Sequence, residues 1–435
     1  MCGLILAPVH LQDRIPAALD SMQYRGPGLA RIRSIGDFAL GHVRLPIQDL
    51  SDAAAQPYER QEGGWLAFAG EIFTKDPGKS ELETLDRVLQ QGLDKLHEID
   101  GFWSILQISE AGAFATTDYL GIKPLYYWEA EEIVCSELEP MFHLRRSPPL
   151  DETYLSNCIK FGYDYSGRTP YLGIRQLPPG TSLDVGSGFQ YTYWDWSKIP
   201  GSPMSISAIL RQSVRNRLIS DVPVGLLLSG GLDSSIIYHL VKSLGVKPLV
   251  FSVENGESEY LPAGVKPIFP EDVSLEEAVG VMQAPLDLGS LVPQIQLARA
   301  LNKQGLKVAI TGDGADELFG GYTRSRTYDS QASDIFCELP YYHLPRLDRV
   351  MMRSTIEQRS PFLAPQVIAT ALRTPRELRT DKKILKQAFG GVINEKIINR
   401  PKHPLKTQAV IQGGLEYRSK LVEEFRRHVR QSVFV

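Results

Sequence analysis

The sequence predicts two domains in tandem: a sheet-rich α+β domain over residues 1–200 and an α/β domain with a mostly parallel sheet over residues 201–435. Two observations carry this division. Up to about Leu144, short strand-like runs alternate with turn residues, whereas beyond residue 200 buried apolar strands alternate with helices across glycine-rich turns.

In the first part the strand candidates include Gly36–Val43, Trp65–Ala69 and Trp103–Ile108. One stretch departs from the period of two: Glu81 to Leu96 places Leu82, Leu85, Val88, Leu89 and Leu93 at near-helical spacing, which predicts a surface helix beside the sheet. From Arg145 to Pro203, the clusters Pro148-Pro149, Pro178-Pro179-Gly180 and Ser197–Pro203 read as connections. The second part then runs as helix, strand Val224–Leu228, glycine-rich turn, and a helix through Ile236–Val241, with Leu249–Val253 and Lys307–Thr311 as further buried strands.

Composition narrows the function classes. With 43% hydrophobic and 23% charged residues in 435, the chain can bury a sizeable core. Lys and Arg total 47 against 51 Asp and Glu, so the net charge of -4 offers no general attraction to nucleic acid or to an anionic membrane. The four cysteines lack metal-site spacing and follow no signal-peptide pattern, and no apolar run approaches the roughly 20 residues that cross a bilayer. A cytoplasmic protein acting on small molecules is the expectation, and a homodimer is compatible with it.

The chemistry is concentrated in two turns. Leu226-Leu227-Leu228-Ser229-Gly230-Gly231-Leu232-Asp233-Ser234-Ser235 ends a strand in two glycines and opens a helix. Its successive N–H groups and the positive end of the helix dipole suit phosphate oxygens. Ser229, Ser234 and Ser235 add hydroxyls, and Asp233 can hold Mg²⁺ against the phosphates. The segment reads as a loop for the pyrophosphate of an ATP cleaved to AMP, and it differs from a Walker loop, whose Gly-Lys-Ser/Thr ending is absent.

Thr311-Gly312-Asp313-Gly314-Ala315-Asp316-Glu317-Leu318-Phe319-Gly320-Gly321-Tyr322 also follows an apolar strand. Three carboxylates in one glycine-rich turn call for a compensating cation. Asp316 is the second Mg²⁺ candidate, Asp313 can position or deprotonate an amine nucleophile, and Glu317 fits a helix cap as well as a substrate contact. Lys382, in Thr380-Asp381-Lys382-Lys383-Ile384-Leu385-Lys386, is the cation chosen for the developing phosphate charge, although a lysine in such a run also suits a solvated helix face.

Together these motifs resemble glutamine-dependent asparagine synthetases. The resemblance runs nearly the whole chain: Met1-Cys2-Gly3, Tyr24-Arg25-Gly26-Pro27-Gly28, His42–Ile47, Gly70-Glu71-Ile72, Tyr119–Tyr126, the two glycine-rich turns, Arg359-Ser360-Pro361-Phe362-Leu363 and the Lys382 segment. It implies an N-terminal-nucleophile sandwich of αββα layers followed by an ATP-pyrophosphatase domain. It also implies adenylation of aspartate to β-aspartyl-AMP and displacement of AMP by ammonia from glutamine. ATP and Mg²⁺ would be held by Leu228, Ser229, Gly230, Gly231, Leu232, Asp233, Ser234, Ser235, Thr311 and Gly312, with Asp233 and Asp316 on the metal. Asp313 would sit at the acyl-adenylate and Lys382 would support its formation.

Cys2 becomes the first residue once Met1 is removed, and its α-amino group, with an ordinary pKa near 8, can then act as base for its thiol. By resemblance Arg44 takes the glutamine α-carboxylate, Gly70 gives its N–H to the oxyanion, Glu71 helps hold the substrate and Glu81 takes the α-amino group.

Four departures bear on nitrogen source and acceptor. Ala69 stands where the family has an asparagine oxyanion donor, and loss of such a donor costs roughly 3 kcal/mol in the transition state. Glu81 replaces an aspartate, Ala364 replaces the acid that follows Arg-x-Pro-Phe-Leu, and the stretch 254–281, with Pro262, Pro267 and Pro270, is short for the elements that surround adenine. Ammonia as nitrogen source, another carboxylate as acceptor, and a non-catalytic ATP-binding protein are the alternatives.

Overall fold

The computed structural model describes residues 2–74, 76–254, 258–268, 273–286, 289–322, 333–400 and 414–431. Met1 and residues 255–257 and 269–272, Pro270 among them, lie outside the described residues, as do 287–288 and 401–404.

The N-terminal part is built on two six-stranded sheets. The first runs in spatial order Ile174–Gln176, Tyr126–Trp128, Ile133–Cys135, Gly3–Pro8, Phe38–Val43 and Arg31–Ile35. The second runs Gln190–Thr192, Thr181–Asp184, Gly112–Thr117, Gly101–Ser109, Trp65–Ile72 and Tyr58–Glu59, and the neighbouring strands pair antiparallel. Alternation sorts the side chains. Leu4 and Leu6 of the first sheet meet Ala67, Ala69, Leu106 and Ile108 of the second, while Ile5 and Ala7 face outward onto Ile15, Ala18 and Leu19 of the helix Ile15–Ser21. On the far side Leu82, Leu85 and Val88 of the helix Glu81–Gln91 cover Leu66, Phe68 and Phe102. The layers are therefore α, β, β, α, the sandwich expected.

The helix expected over Glu81–Leu96 ends at Gln91. A reciprocal capping box starts it, with the Ser80 Oγ accepting from the Glu83 N–H at 3.2 Å and a Glu83 carboxylate oxygen accepting from the Ser80 N–H at 2.8 Å, an arrangement worth about 1 kcal/mol. Gly92, at φ 119°, turns the chain out of helical geometry, and Leu93 falls in the 3₁₀ turn Leu93–Glu98 that follows.

The second domain centres on a four-stranded sheet in the order Leu249–Phe251, Val224–Leu227, Val308–Ile310 and Glu357–Arg359, parallel throughout. In register, Leu226 faces Val250 and Ile310, and Ile310 faces Arg359, so the turns after these strands open at one edge, where ligands of such sheets bind. Within the short 254–281 stretch, the sheet continues past Leu249–Phe251 only as a single parallel bridge between Val253 and Ile268, among the described residues. No described helix is long and apolar enough to cross a membrane.

The two domains share one core. Phe102, Trp103 and Tyr119 pack in the same cluster as Leu210, Leu226, Phe319 and Phe362. The Tyr119 hydroxyl lies 3.0 Å from the Gly101 carbonyl oxygen and 2.8 Å from that of Leu363, and Arg217 binds Asp100 through both guanidinium nitrogens at 2.6 and 2.7 Å. The helix Gly414–Gln431 returns to the first domain, where Phe425 packs on Tyr171.

Candidate active sites

A cavity of about 470 Å³ opens at the end of the sandwich, and Cys2, Arg44, Gly70, Glu71 and Glu81 all line it. The topology explains the convergence. Cys2 leads into the strand Gly3–Pro8, Arg44 follows the neighbouring strand Phe38–Val43, Gly70 and Glu71 lie in Trp65–Ile72, and Glu81 starts the helix that covers that sheet.

Cys2 is 8% exposed. Burial raises its thiol pKa, against the opposing pull of the N-terminal charge and of a backbone bond at Leu45. The Arg44 guanidinium donates to the Ser51 carbonyl at 2.6 Å and to that of Asp49, which fixes its plane at the cavity wall. Gly70 has φ 151°, and a Cβ there would overlap the Phe102 carbonyl oxygen, so only glycine fits. Ala69 is buried between the sheets in the cluster that includes Cys2 and brings no polar side-chain atom.

Glu71 and Glu81 are held by a residue that sequence reasoning missed. The Gln48 amide donates to Glu71 at 2.6 Å and to Glu81 at 3.1 Å. Glu81 also accepts from the Ile72 N–H at 2.7 Å. Glu71 reaches across the domain boundary to Arg359, 3.0 Å away, which pairs in turn with Glu357 at 2.6 Å. Burial and the Glu357 charge raise the Glu71 pKa, and Arg359 opposes them. The only sequence signal for Gln48 is its place directly after His42–Ile47.

At the carboxyl edge of the parallel sheet, the Ser229–Ser235 turn is cross-linked by its hydroxyls. Ser229 and Ser234 Oγ atoms are 3.1 Å apart, and the Gly231 N–H donates to Ser229 Oγ at 3.3 Å. Gly231 is the N-cap of the helix Leu232–Ser243 and no side chain caps it, which leaves first-turn N–H groups for a phosphate.

Asp233, Asp316 and Lys382 meet. Lys382 Nζ lies 2.7 and 2.6 Å from the two Asp233 oxygens and 2.6 Å from Asp316. To reach them, Asp381 and Lys382 both adopt left-handed φ values of 58° and 56°, secured by their N–H bonds to the Gly320 and Phe319 carbonyls, each 2.9 Å. Gly321 makes room: a Cβ there would overlap both Asp316 and the Lys382 chain. Two carboxylates aimed at one cationic point fit Mg²⁺, which takes one or two carboxylates and completes its shell with phosphate and water. Among the described residues no group of three metal-type ligands occurs.

Asp313 lies in the same turn but is held apart from Lys382. Its carboxylate accepts from Gln358 at 2.7 Å and pairs with Arg346 at 3.3 Å. Gln358 also donates to Thr311 Oγ1 at 3.0 Å and accepts from Gln294 at 2.8 Å. Gly314, rather than Glu317, is the N-cap of the short helix Ala315–Leu318; Glu317 accepts from the Tyr322 hydroxyl and faces His343. Arg346, Gln358 and Gln294 belong to no recognisable motif, and neither does the position of Arg400. Its guanidinium lies 3.7 Å from where a Cβ on Gly231 would sit and stacks on Tyr260 at 4.4 Å.

Comparison with known proteins accords with this geometry. Residues 1–194 match the glutamine amidotransferase domain family, and residues 205–263, 268–338 and 328–431 match the asparagine synthase family. A probable glutamine-hydrolysing asparagine synthetase of Acanthamoeba polyphaga mimivirus is 26% identical, covering 98% of this chain and 88% of its own length. Asparagine synthetase B of Escherichia coli is 24% identical over 88% of this chain and 76% of its own. The amidase chyE of Penicillium rubens is 27% identical over 78% of this chain, which spans 59% of that protein. The chain belongs to the asparagine synthase family, with a class-II glutamine amidotransferase domain first and an asparagine-synthetase-like ATP-pyrophosphatase domain second.

Proposed function

We propose that the chain is a glutamine-hydrolysing asparagine synthetase. The observation that carries this reading is the strand Glu357–Arg359, which touches both sites: Gln358 bonds Asp313 beside the phosphate loop, and Arg359 pairs with Glu71 in the Cys2 cavity. One rigid element thus joins a nitrogen-releasing site to an acyl-activating one.

At the first site the Cys2 thiol attacks the carboxamide carbon of glutamine, its proton passing to the α-amino group that removal of Met1 frees. The Gly70 N–H faces the oxyanion, the α-ammonium returns its proton to the departing nitrogen so that ammonia leaves, and water releases glutamate from the thioester. At the second site an aspartate side-chain oxygen attacks the α-phosphorus of ATP and the bond to pyrophosphate breaks. The Ser229–Ser235 turn and Lys382 hold the departing pyrophosphate, and Asp233 and Asp316 would hold Mg²⁺, whose charge offsets that of the phosphates. Ammonia then attacks the acyl carbon, Asp313 orients or deprotonates it, and AMP leaves.

Incubation with aspartate, glutamine, ATP and Mg²⁺ is expected to yield asparagine, glutamate, AMP and pyrophosphate in equal amounts. ADP and phosphate instead would overturn the mechanism. A second reading, amidation of a different carboxylate, is favoured by Ala364, a buried apolar residue where the family places an acid. Pyrophosphate release that responds to another carboxylate but not to aspartate would decide for it.

A further inference from the structure

We infer that Asp348, a residue of the second domain, is a positioning residue for the Cys2 nucleophile and acts through Arg25. The inference rests on the assignment of Cys2 as nucleophile.

An N-terminal residue has no preceding peptide group to fix its φ rotation. Its carbonyl is then the anchor that sets where its thiol and amine point, and small errors in that placement are expensive in rate. The Cys2 carbonyl oxygen accepts from Arg25 Nε at 3.1 Å. Arg25 is 1% exposed, and its Nη1 is shared between Glu137 at 2.6 Å and Asp348 at 2.8 Å. A guanidinium gripped by two carboxylates cannot rotate in its plane without breaking one grip. Glu137 comes from the first domain, whereas Asp348 sits on the helix Leu344–Met352 of the second and has its other oxygen 3.0 Å from Lys123.

The same helix carries Arg346, which pairs with Asp313 two positions before Asp348. One helix therefore touches the acyl-activating turn with one residue and the carbonyl anchor of the nucleophile, through Arg25, with another. The glutaminase site is completed by a side chain its own domain does not supply.

The test uses the full chain and 6-diazo-5-oxo-L-norleucine, a glutamine analogue that alkylates a nucleophilic thiol, with the adduct on the Cys2 peptide followed by mass spectrometry. Asp348→Asn and Arg25→Lys are expected to lower the maximal alkylation rate and the kcat of glutamate release by about tenfold to a hundredfold, with half-saturating concentrations within about twofold of wild type. Lys123→Met, which removes a buried charge but leaves the Asp348–Arg25–Cys2 chain, is expected to stay within about twofold of the wild-type rate. If Asp348→Asn does not accumulate folded, Arg25→Lys, which keeps the buried charge, decides by the same readings. Unchanged rates in a less heat-stable protein would make Asp348 a structural residue and overturn the inference, and so would an equal fall in Lys123→Met. No adduct on wild-type Cys2 would overturn the nucleophile assignment and the inference with it.

Discussion

Replacing Lys382 with Met tests the centre of the proposed phosphate site most directly. The ammonium lies 2.6 Å from an oxygen of each carboxylate, so without it the two oxygens face each other across no more than about 5 Å. At that separation and an effective dielectric of about 20 their repulsion is about 3 kcal/mol, before the screening by solvent that both side chains keep. Adding a divalent cation should relieve it. The Lys382→Met protein is therefore expected to melt lower than wild type in chelator and to recover with Mg²⁺, whereas wild type, whose carboxylates already hold an ammonium, responds little in the absence of nucleotide. Loss of the cation facing the departing pyrophosphate should lower acceptor-dependent ATP–pyrophosphate exchange by about 10²–10³, the scale of losing one preorganised donor. Glutamate release from glutamine should persist, because the Cys2 cavity contains neither carboxylate. Exchange within about threefold of wild type would refute the assignment of Lys382, and a Mg²⁺ response equal to that of wild type would refute the shared-cation geometry.

Gly321→Ala should reproduce the fall in pyrophosphate exchange without touching a charged group, since the added methyl overlaps Asp316 and the Lys382 chain; wild-type exchange in that variant would show that Lys382 need not sit there. Ala69→Asn restores a side-chain donor next to Gly70, and glutamate release is expected to rise on the order of tenfold while ammonia-dependent synthesis is unchanged; no rise would place the oxyanion elsewhere. His428 Nε2 donates to a Glu139 carboxylate oxygen at 3.2 Å, and this bond raises the His428 pKa in the folded chain against partial burial. A raised folded pKa means that its contribution is complete below the unfolded value near 6.5 and is lost as pH rises through the folded one. Amide protection in the helix Gly414–Gln431 should therefore weaken as pH rises above about 6.5, and His428→Gln should flatten that dependence; a variant with the wild-type pH profile would remove His428 as its source.

The two glycine-rich turns were legible because backbone chemistry wrote them: a strand that must stop, N–H groups that must be exposed and carboxylates that must be compensated leave residue types at fixed spacing. Cys2, Arg44, Gly70, Glu71 and Glu81 were legible through resemblance, and they line one cavity. The helix Glu81–Gln91 was legible in its start and face but not in its end, because apolar spacing continued through Leu93 while Gly92 had already turned the chain. Arg346, Gln358 and Asp348 left no signal, and Gln48 left only its place directly after His42–Ile47, since single polar residues acquire partners only when distant segments fold together.

By itself the sequence determined a sheet-rich first domain, a parallel-sheet second domain and the two glycine-rich turns, which follow from period, propensity and local backbone demands, whereas the layers of the sandwich and the chemistry expected of each turn came through resemblance. Only the tertiary structure decided that Lys382 stands between Asp233 and Asp316, that Glu71 is tied to Arg359, and that Arg25 holds the Cys2 carbonyl while gripping Asp348. These are charges brought out of water, and burying a charge is tolerable only where a partner meets it. For Arg25 and Asp348 that partner lies 323 positions away in the chain, so the pairing belongs to the fold and not to any stretch of sequence.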